Sequence, residues 1–396
     1  MIVLEFKLAG AAGQYAALDE AIRTTQFIRN KCVRKWMDER GVKPYDLNKY
    51  CAVLAKEYDF AGKLNAQARQ AAAERAAAAI NRFYDKCRAK TPGAKGYPRF
   101  QRDGRSIEYK QTGWKLDGAR RALTFTDGFM AGTFRLKGTR DLGCYALARI
   151  KRVRVVKRAD GYYSQFCIDV ERRVAAAATG CAVGIDLGLT HFYTDSEGAT
   201  VENSRHLRRA EKALTRLQRR VSSKVKGSKN RTKARGKLAR KHLKVRRQRR
   251  DFAVKAARAL VMSNDVIAYE DLRVRNMVKN RRLAKSISDA GWRAFVTWLG
   301  YLAQVYGKIV VAVPPAYTSQ DCSGCGERVM KALSERTHVC PRCMAVLDRD
   351  HNAARNILAL GLRHLEGTTA GHAGSHAWGQ SALYPPDASS TDKAAG

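Results

Sequence analysis

The sequence has no uninterrupted apolar run of the roughly 18 residues that a membrane-spanning helix needs. The longest candidate, residues 71–80, is rich in alanine and is interrupted by Glu74 and Arg75. We also find no start typical of a signal peptide and no lipidation motif. We therefore expect no membrane partner.

Acidic residues are scarce relative to basic ones. The chain has 36 Asp and Glu against 75 Lys and Arg, a formal net charge of +39 at pH 7. A chain with this surplus repels itself unless a polyanion neutralises it. We therefore expect nucleic acid as the partner, and no small-molecule substrate.

The composition excludes wholesale disorder and a disulfide-knotted mini-protein. Hydrophobic residues make up 45% of the chain and charged residues 28%, which is ordinary for globular proteins. The 396 residues are roughly two to three times a typical domain, which predicts several domains.

A disulfide framework is also missing. Six of the ten cysteines are scattered singly, whereas the other four form two tight pairs, Cys322-x-x-Cys325 and Cys340-x-x-Cys343. In a large chain this spacing is more typical of a metal site than of disulfides. Four thiolates complete the tetrahedral shell of Zn²⁺ and leave no position for a catalytic water, so we predict structural zinc. An iron–sulfur centre is the remaining chemical alternative.

Hydrophobic periodicity divides the first half of the chain into three parts. Residues 2–8 alternate as a short strand, and helical spacing follows over residues 18–36 and 66–87. From about Ser106 the pattern predicts strands, with a hairpin at Asp160-Gly161. We expect a small β-barrel or twisted sheet there, completed by the N-terminal strand.

The second half combines apolar strands with a strongly basic stretch. Residues 204–250 hold 21 Lys and Arg against one acid, Glu211, with spaced apolar anchors. We predict a helical pair, bent near Gly227, whose cations face nucleic acid. The cations that we expect to bind nucleic acid are Arg208, Arg209, Arg216, Arg219, Arg220, Lys241, Arg246, Arg247, Arg281 and Arg282.

Three acids stand out by their positions. Asp186 and Glu270 each lie at the end of an apolar strand, and Asp350 lies where a helix starts. A lone carboxylate beside a core is costly and is usually a cap or a loop residue. Three of them in a polyanion-binding chain instead match a site for two Mg²⁺ ions, or Mn²⁺. One ion would activate a water for attack on a phosphodiester, and the other would stabilise the leaving 3′-oxygen. The residue types alone do not choose between Glu270 and Asp271, or between Asp350 and Asp348.

Residues 183–360 contain a dense set of short motifs. They are Gly184-Ile185-Asp186-Leu187-Gly188, Tyr269-Glu270-Asp271-Leu272, Ser286-Ile287-Ser288-Asp289-Ala290-Gly291-Trp292, Thr318-Ser319-Gln320, the paired cysteines, and Asp348-Arg349-Asp350 with Asn352 and Asn356. This set resembles the TnpB family of transposon-encoded, RNA-guided DNA nucleases, relatives of the compact type V CRISPR effectors.

This resemblance implies a multidomain α/β protein: an RNase H-like (RuvC) nuclease with an inserted zinc ribbon, and an N-terminal wedge-like β-barrel interrupted by a helical recognition domain. The implied catalytic and Mg²⁺-binding acids are Asp186, Glu270 and Asp350, with Cys322, Cys325, Cys340 and Cys343 holding zinc. The implied boundaries are 1–9 and 105–178 for the wedge, 10–104 for the recognition domain, 179–317 and 346–362 for the nuclease and 318–345 for the ribbon. From about Gly361 onward Gly, Ala, Ser, Thr and Pro dominate, so we expect a disordered tail over residues 363–396.

The implied function is Mg²⁺-dependent cleavage of double-stranded target DNA, next to a short motif, under the direction of a guide RNA. The implied location is the cytoplasm of a prokaryotic cell, in association with the nucleoid. Three alternatives stay open: a CRISPR-associated type V effector, a transposase, and a guided DNA-binding protein without catalysis.

Overall fold

The structure is a computed structural model that describes residues 1–332 and 334–369. It comprises two compact units, the first Met1–Glu171 and the second beginning at Arg172. No helix in the described part of the chain is both long and apolar enough to cross a membrane.

The first unit is built on a seven-stranded antiparallel sheet in the order β2-β6-β7-β1-β5-β4-β3. Strand β1 alternates buried and half-buried residues and pairs with both β5 and β7, so the N-terminal strand completes the sheet as predicted. The two edge strands, β2 and β3, are not paired with each other within this fully described unit, so the sheet is an open half-barrel rather than a closed barrel. The strands are β1 Ile2–Ala9, β2 Ser106–Tyr109, β3 Trp114–Leu116, β4 Ala122–Phe125, β5 Gly132–Lys137, β6 Ile150–Arg158 and β7 Gly161–Ile168.

Four helices lie between β1 and β2, and helical periodicity over residues 18–36 and 66–87 predicts two of them. They are α1 Ala12–Asp38, α2 Pro44–Glu57, α3 Asp59–Gly62 and α4 Ala66–Arg88. The Asn65 side chain caps α4 by accepting from the backbone N–H groups of Gln67 and Ala68. Along α4, small alanines such as Ala72 and Ala76 are fully buried, which allows close packing against the larger residues of its neighbours.

A buried ionic cluster joins α4 to the sheet. The side chain of Glu108 on β2 is 4% exposed and accepts from Arg152 at 2.5 Å and from Arg154 at 2.7 Å, while Arg75 of α4 lies 3.6 Å away. Burial opposes ionisation of Glu108, but the charge of Arg154, the hydrogen bond from Arg152 and the charge of Arg75 outweigh it and lower its pKa to about 2.

The second unit has a mixed five-stranded sheet in the order β10-β9-β8-β11-β12. Strands β8, β11 and β12 are parallel, whereas β9 and β10 run antiparallel at one side. The strands are β8 Ala182–Asp186, β9 His191–Asp195, β10 Thr200–Glu202, β11 Val266–Glu270 and β12 Ile309–Val313.

The predicted basic helical pair is present as α5 His206–Ser222 and α6 Lys229–Ser263. The chain turns between them at Gly227, which has a φ of +85°, a value that favours glycine. Two short helices follow β11, α7 Val274–Met277 and α8 Ala284–Ala290. The sequence pattern predicts one helix from about Ser288, but Gly291 at φ +72° ends α8 and begins α9 Trp292–Tyr306.

A short ribbon follows β12, with antiparallel strands β13 Thr337–Val339 and β14 Val346–Asp348. Helix α10, Arg349–Thr369, starts directly after β14. Residues 363–369 are therefore helical, so the prediction that the tail begins at residue 363 is wrong for this part. The rest of that predicted tail lies outside the described residues.

We predict that the Glu108 cluster makes the stability of the chain pH-dependent. Because the pKa of Glu108 is lowered on folding, its contribution is present above the ordinary value of 4.5 and is lost as the pH falls towards about 2. Glu108→Gln should lower the free energy of unfolding by roughly 3 kcal/mol at pH 7 and by progressively less below pH 4.5. Denaturant unfolding from pH 7 to pH 3 measures this.

The matched control is Glu20→Gln, which removes an exposed ion pair with Arg23. Exposed pairs contribute little, so it should change stability by less than about 0.5 kcal/mol. An equal effect of Glu108→Gln at pH 7 and pH 3 would contradict the prediction.

Candidate functional site

Two of the predicted acids end neighbouring parallel strands. Strands β8 and β11 are in register through Ile185 and Tyr269, so Asp186 and Glu270 are the next residues on their strands. The carboxyl ends of parallel strands lie at one edge of a sheet, and both side chains therefore belong to the same edge. We call this the acid edge.

Helix α10 brings the third acid, Asp350, to the acid edge. The helix lies directly against β8, because a Cβ placed on Gly184 would be 2.2 Å from the carbonyl oxygen of Ala354. It also lies against β11, because a Cβ on Gly361 would be 2.5 Å from the Cβ of Ala268. Only glycine allows this approach at either position. The close contact fixes the first turn of α10, where Asp350 lies.

The three carboxylates interact electrostatically. Burial and then the charges of Glu270 and Asp350 raise the pKa of Asp186 well above its usual range. Burial also raises the pKa of Glu270, with a further contribution from Asp350, although a hydrogen bond from Thr318 opposes the rise. Such a set is destabilised by its own negative charge and favours a bound cation.

The carboxylate oxygens of Asp186, Glu270 and Asp350 do not all lie within 4.8 Å of one another, so the acid edge is more open than a closed metal site. In residues 1–332 and 334–369, only the four paired cysteines form a group of three or more Cys, His, Asp or Glu with all ligand atoms within 4.8 Å of one another. At the acid edge, Arg336 contacts Asp350 at 3.2 Å and Arg349 contacts it at 3.1 Å.

The structure distinguishes each acid from its neighbour in sequence. Asp348 caps α10, because its Oδ1 accepts from the backbone N–H groups of Asp350 at 2.8 Å and His351 at 3.2 Å. Asp271 is exposed, whereas Glu270 is 7% exposed. These positions favour Glu270 and Asp350 as the chemically active members.

The four cysteines converge at the ribbon. The Sγ atoms of Cys322 and Cys343 lie 3.5 Å apart, as do those of Cys325 and Cys340. A disulfide has an S–S distance of about 2 Å, whereas two thiolates on one tetrahedral Zn²⁺ are about 3.8 Å apart. The cysteine spacing therefore fits one shared metal ion rather than disulfides.

The predicted nucleic-acid-binding cations lie mostly on the basic pair. Arg208, Arg209, Arg216, Arg219 and Arg220 are exposed on α5, and all of them except Arg209 line an open groove of about 890 Å³. Lys241, Arg246 and Arg247 lie on α6, with Lys241 half-buried and the other two exposed, and Arg281 and Arg282 are exposed between α7 and α8.

Asp289, at the C-terminal end of α8, anchors this basic pair. Its carboxylate is 5% exposed and accepts from the backbone N–H groups of Leu207 at 2.8 Å and Arg208 at 3.0 Å, in the first turn of α5. The guanidinium of Arg249 on α6 donates to the Asp289 carbonyl at 3.0 Å.

Three residues that contact the predicted acids or the basic pair were not predicted from the sequence. Thr318 donates to Glu270, Arg336 contacts Asp350, and Asp289 caps α5. Thr318 and Asp289 belong to the motifs that carry the resemblance, but their partners are 48 and 82 residues away in sequence. No local signal pairs them.

Comparisons with known proteins identify relatives of this chain and of its fold. The family model OrfB_IS605, described as "Probable transposase", matches residues 165–281. A second model, the Cas12f1-like TNB domain, matches residues 292–357, which include the ribbon and the start of α10. The solved Cas12f1-sgRNA-target DNA complex contains a chain that shares the fold, with a TM-score of 0.53 and 13% identity over 86% of this chain and 82% of that one.

Curated relatives extend the match. A Streptomyces pristinaespiralis protein named "Putative RNA-guided DNA endonuclease" is 46% identical over 47% of either chain, so the match spans about half the length of that relative. The "Putative RNA-guided DNA endonuclease InsQ" of Escherichia coli K12 is 31% identical over 67% of this chain and 68% of its own length. The chain therefore belongs to the TnpB family.

Proposed function

We propose that this chain is an RNA-guided, Mg²⁺-dependent DNA endonuclease that hydrolyses phosphodiester bonds of target DNA next to a short motif. The single observation that carries the proposal is the acid edge, where the charges of Glu270 and Asp350 raise the pKa of Asp186 and the charge of Asp350 raises the pKa of Glu270. The names of the curated relatives support the same activity.

The acid edge fits divalent cations by its chemistry. Mg²⁺ prefers a few carboxylates together with phosphate oxygens of the substrate, and the three acids supply the carboxylates. When bound, Mg²⁺ or Mn²⁺ supplies the Lewis acidity that activates water and stabilises the leaving oxygen. A bound cation would offset the repulsion among the three acids, and Arg336 and Arg349 already donate to the two carboxylate oxygens of Asp350.

The nucleic-acid partners follow from the charge. A guide RNA paired with DNA is recognised through its shape and backbone, which requires a broad cationic surface and few base contacts. The exposed arginines of α5 and α6 supply such a surface. A double-stranded DNA target supplies the strand that pairs with the guide, so the sequence choice is made by pairing rather than by side chains.

The finer architecture is part of the proposal. The mixed sheet of the second unit and α10 support an RNase H-like (RuvC) nuclease over residues 179–317 and 346–362, with a zinc ribbon over 318–345. The half-barrel supports the wedge over 1–9 and 105–178, and the helices α1 to α4 support the recognition domain over 10–104. A cytoplasmic, nucleoid-associated location follows from the DNA substrate.

Transposition is the second candidate, because one matching family model is described as a transposase. Transposase triads usually end in a glutamate borne on a helix, whereas the third acid here is an aspartate that follows a cysteine ribbon. An assay with transposon-end DNA and no guide RNA separates the two functions, because only a transposase forms strand-transfer product under those conditions.

We predict that Asp186→Ala, Glu270→Ala and Asp350→Ala each abolish DNA cleavage and leave guide and target binding intact. Each removes a metal ligand, so the loss should exceed the roughly 100-fold that follows removal of an outer hydrogen-bond partner. Gel-based cleavage and filter-binding assays measure the two properties. Asp271→Asn, an exposed neighbour of Glu270, is the control and should cut normally; normal cutting by an Ala variant would show that its acid is not catalytic.

We predict one zinc per chain, bound by Cys322, Cys325, Cys340 and Cys343. Cys322→Ser and Cys340→Ser should lose zinc and destabilise the ribbon, because its short strands lack a core of their own. Mass spectrometry of the metal content provides the measurement. Cys87→Ser changes an exposed single cysteine and should retain zinc. Full zinc content in both ribbon variants would disprove the four-thiolate site.

We predict that binding of the guide–target duplex weakens steeply with salt and that α5 contributes to this dependence. Replacing Arg216 and Arg220 by alanine should reduce the slope of log K against log salt by about 0.7 to 0.9 for each phosphate that the variant no longer neutralises. A double variant of Lys255 and Arg258, two exposed cations near the other end of the basic pair, controls for net charge. Equal slopes for the α5 variant and the parent chain would exclude the α5 surface.

A further inference from the structure

Glu270 is held by a side chain outside its own strand. The Oγ1 hydroxyl of Thr318 donates to the Oε1 atom of Glu270, and Thr318 is 4% exposed. A single donor to one carboxylate oxygen sets the plane of the carboxylate and the direction of its second oxygen. Thr318 therefore controls the orientation of a group that the proposed function assigns to metal binding.

The backbone before Thr318 is held in a strained conformation. Tyr317 has a φ of +65°, in the left-handed region that a residue with a large side chain rarely adopts. Its carbonyl accepts from the N–H groups of Gln320 and Asp321, each at 2.9 Å, and the guanidinium of Arg328 lies 3.6 Å from its ring centroid. Strain of this kind persists only where the surroundings enforce it, and it is concentrated at functional sites.

Helix α10 fixes the same segment from the other side. The Asn356 amide donates to the carbonyls of Thr318 at 2.8 Å and Asp321 at 2.6 Å. Asn352 is fully buried; it donates to the Asp321 carbonyl and accepts from the Ser323 N–H, each at 2.9 Å. Because α10 also carries Asp350, one helix supplies the third acid and fixes the segment that orients the second.

The segment continues directly into the cysteine cluster. Cys322 follows Thr318 by one tight turn, and its Sγ lies 3.5 Å from that of Cys343. Residues 317–323, which we call the ribbon base, are thus fixed at one end by the cysteines, along their length by two asparagines, and at the other end by Glu270.

We propose that Thr318 is a positioning residue that orients the Glu270 carboxylate for a divalent cation, and that the ribbon base holds Thr318 in place. The ribbon then serves the reaction as well as the stability of its own fold. This inference rests on the proposed function, because it assumes that the acid edge binds the metal.

The test is Mn²⁺ binding to the full-length chain, measured by calorimetry in Mg²⁺-free buffer. Thr318→Val keeps the shape of the side chain and removes the hydroxyl, so it should weaken Mn²⁺ binding by about 10-fold or more. Thr318→Ser retains the hydroxyl and should bind Mn²⁺ as the parent chain does. The Mg²⁺ concentration that gives half-maximal DNA cleavage should rise for Thr318→Val by a similar factor, with target binding unchanged.

A second variant tests the ribbon base. Asn356→Ala should weaken Mn²⁺ binding in the same direction, because it releases the Thr318 carbonyl. If both residues act through one arrangement, the double variant Thr318→Val/Asn356→Ala should be little weaker than Thr318→Val alone. Fully additive losses would show that Asn356 acts elsewhere and would overturn the part of the proposal that concerns the ribbon base.

Other outcomes separate this inference from the proposed function. Parent-like Mn²⁺ binding by Thr318→Val would overturn the positioning role, and so would an equal loss in Thr318→Ser with unchanged thermal unfolding. Asp186→Ala is the reference for the metal site itself. If it binds Mn²⁺ as the parent chain does, the acid edge is not the metal site and the proposed function fails as well.

Discussion

Mutual repulsion among three carboxylates is the constraint on which the second unit depends. Asp186 and Glu270 end adjacent parallel strands, and Asp350 reaches them from α10, so the fold concentrates negative charge where water is partly excluded. Left alone, such groups would separate or take up protons. Close packing of α10 on β8 and β11 resists the separation. Gly184 and Gly361 have no side chain, so the helix and the strands approach each other more closely than any larger residue would allow.

Helix α10 connects the acid edge with the ribbon. Its first turn carries Asp350 and is capped by Asp348, its next turns carry Asn352 and Asn356, and its buried Ile357 packs against Val311 and Val313 of β12. A shift of this helix would therefore disturb the acid edge, the ribbon base and the core together. The ribbon is too small to fold on its own core, so cysteine ligation and these amide contacts hold it in place.

The sequence predicted what depends on local pattern. The apolar strands ending in Asp186 and Glu270 and the cysteine pairs follow from residue types and spacing, and the Gly227 bend follows from helical periodicity and a single glycine. The sequence could not predict features that depend on contacts between residues far apart along the chain. Asp348 and Asp350 look equivalent until the start of α10 makes one of them a cap. Whether the first sheet closes depends on edge strands β2 and β3, whose sequences give no sign that they stay unpaired.

The anchoring of the basic pair shows how a strongly cationic surface can coexist with an acidic site. Asp289 is buried and negative, and it contacts the first turn of α5, where the helix dipole favours an anion. Arg249 of α6 contacts the same residue, so one acid fixes both basic helices to the C-terminal end of α8. Apolar residues of α6, including Ala257 and Val261, and of α9, including Phe295, belong to one buried core with Ile185 and Tyr269, the residues that precede two of the acids. The C-terminal part of α6 and the strands that carry Asp186 and Glu270 thus share one packed core, so the fold rather than flexible side chains fixes their distance.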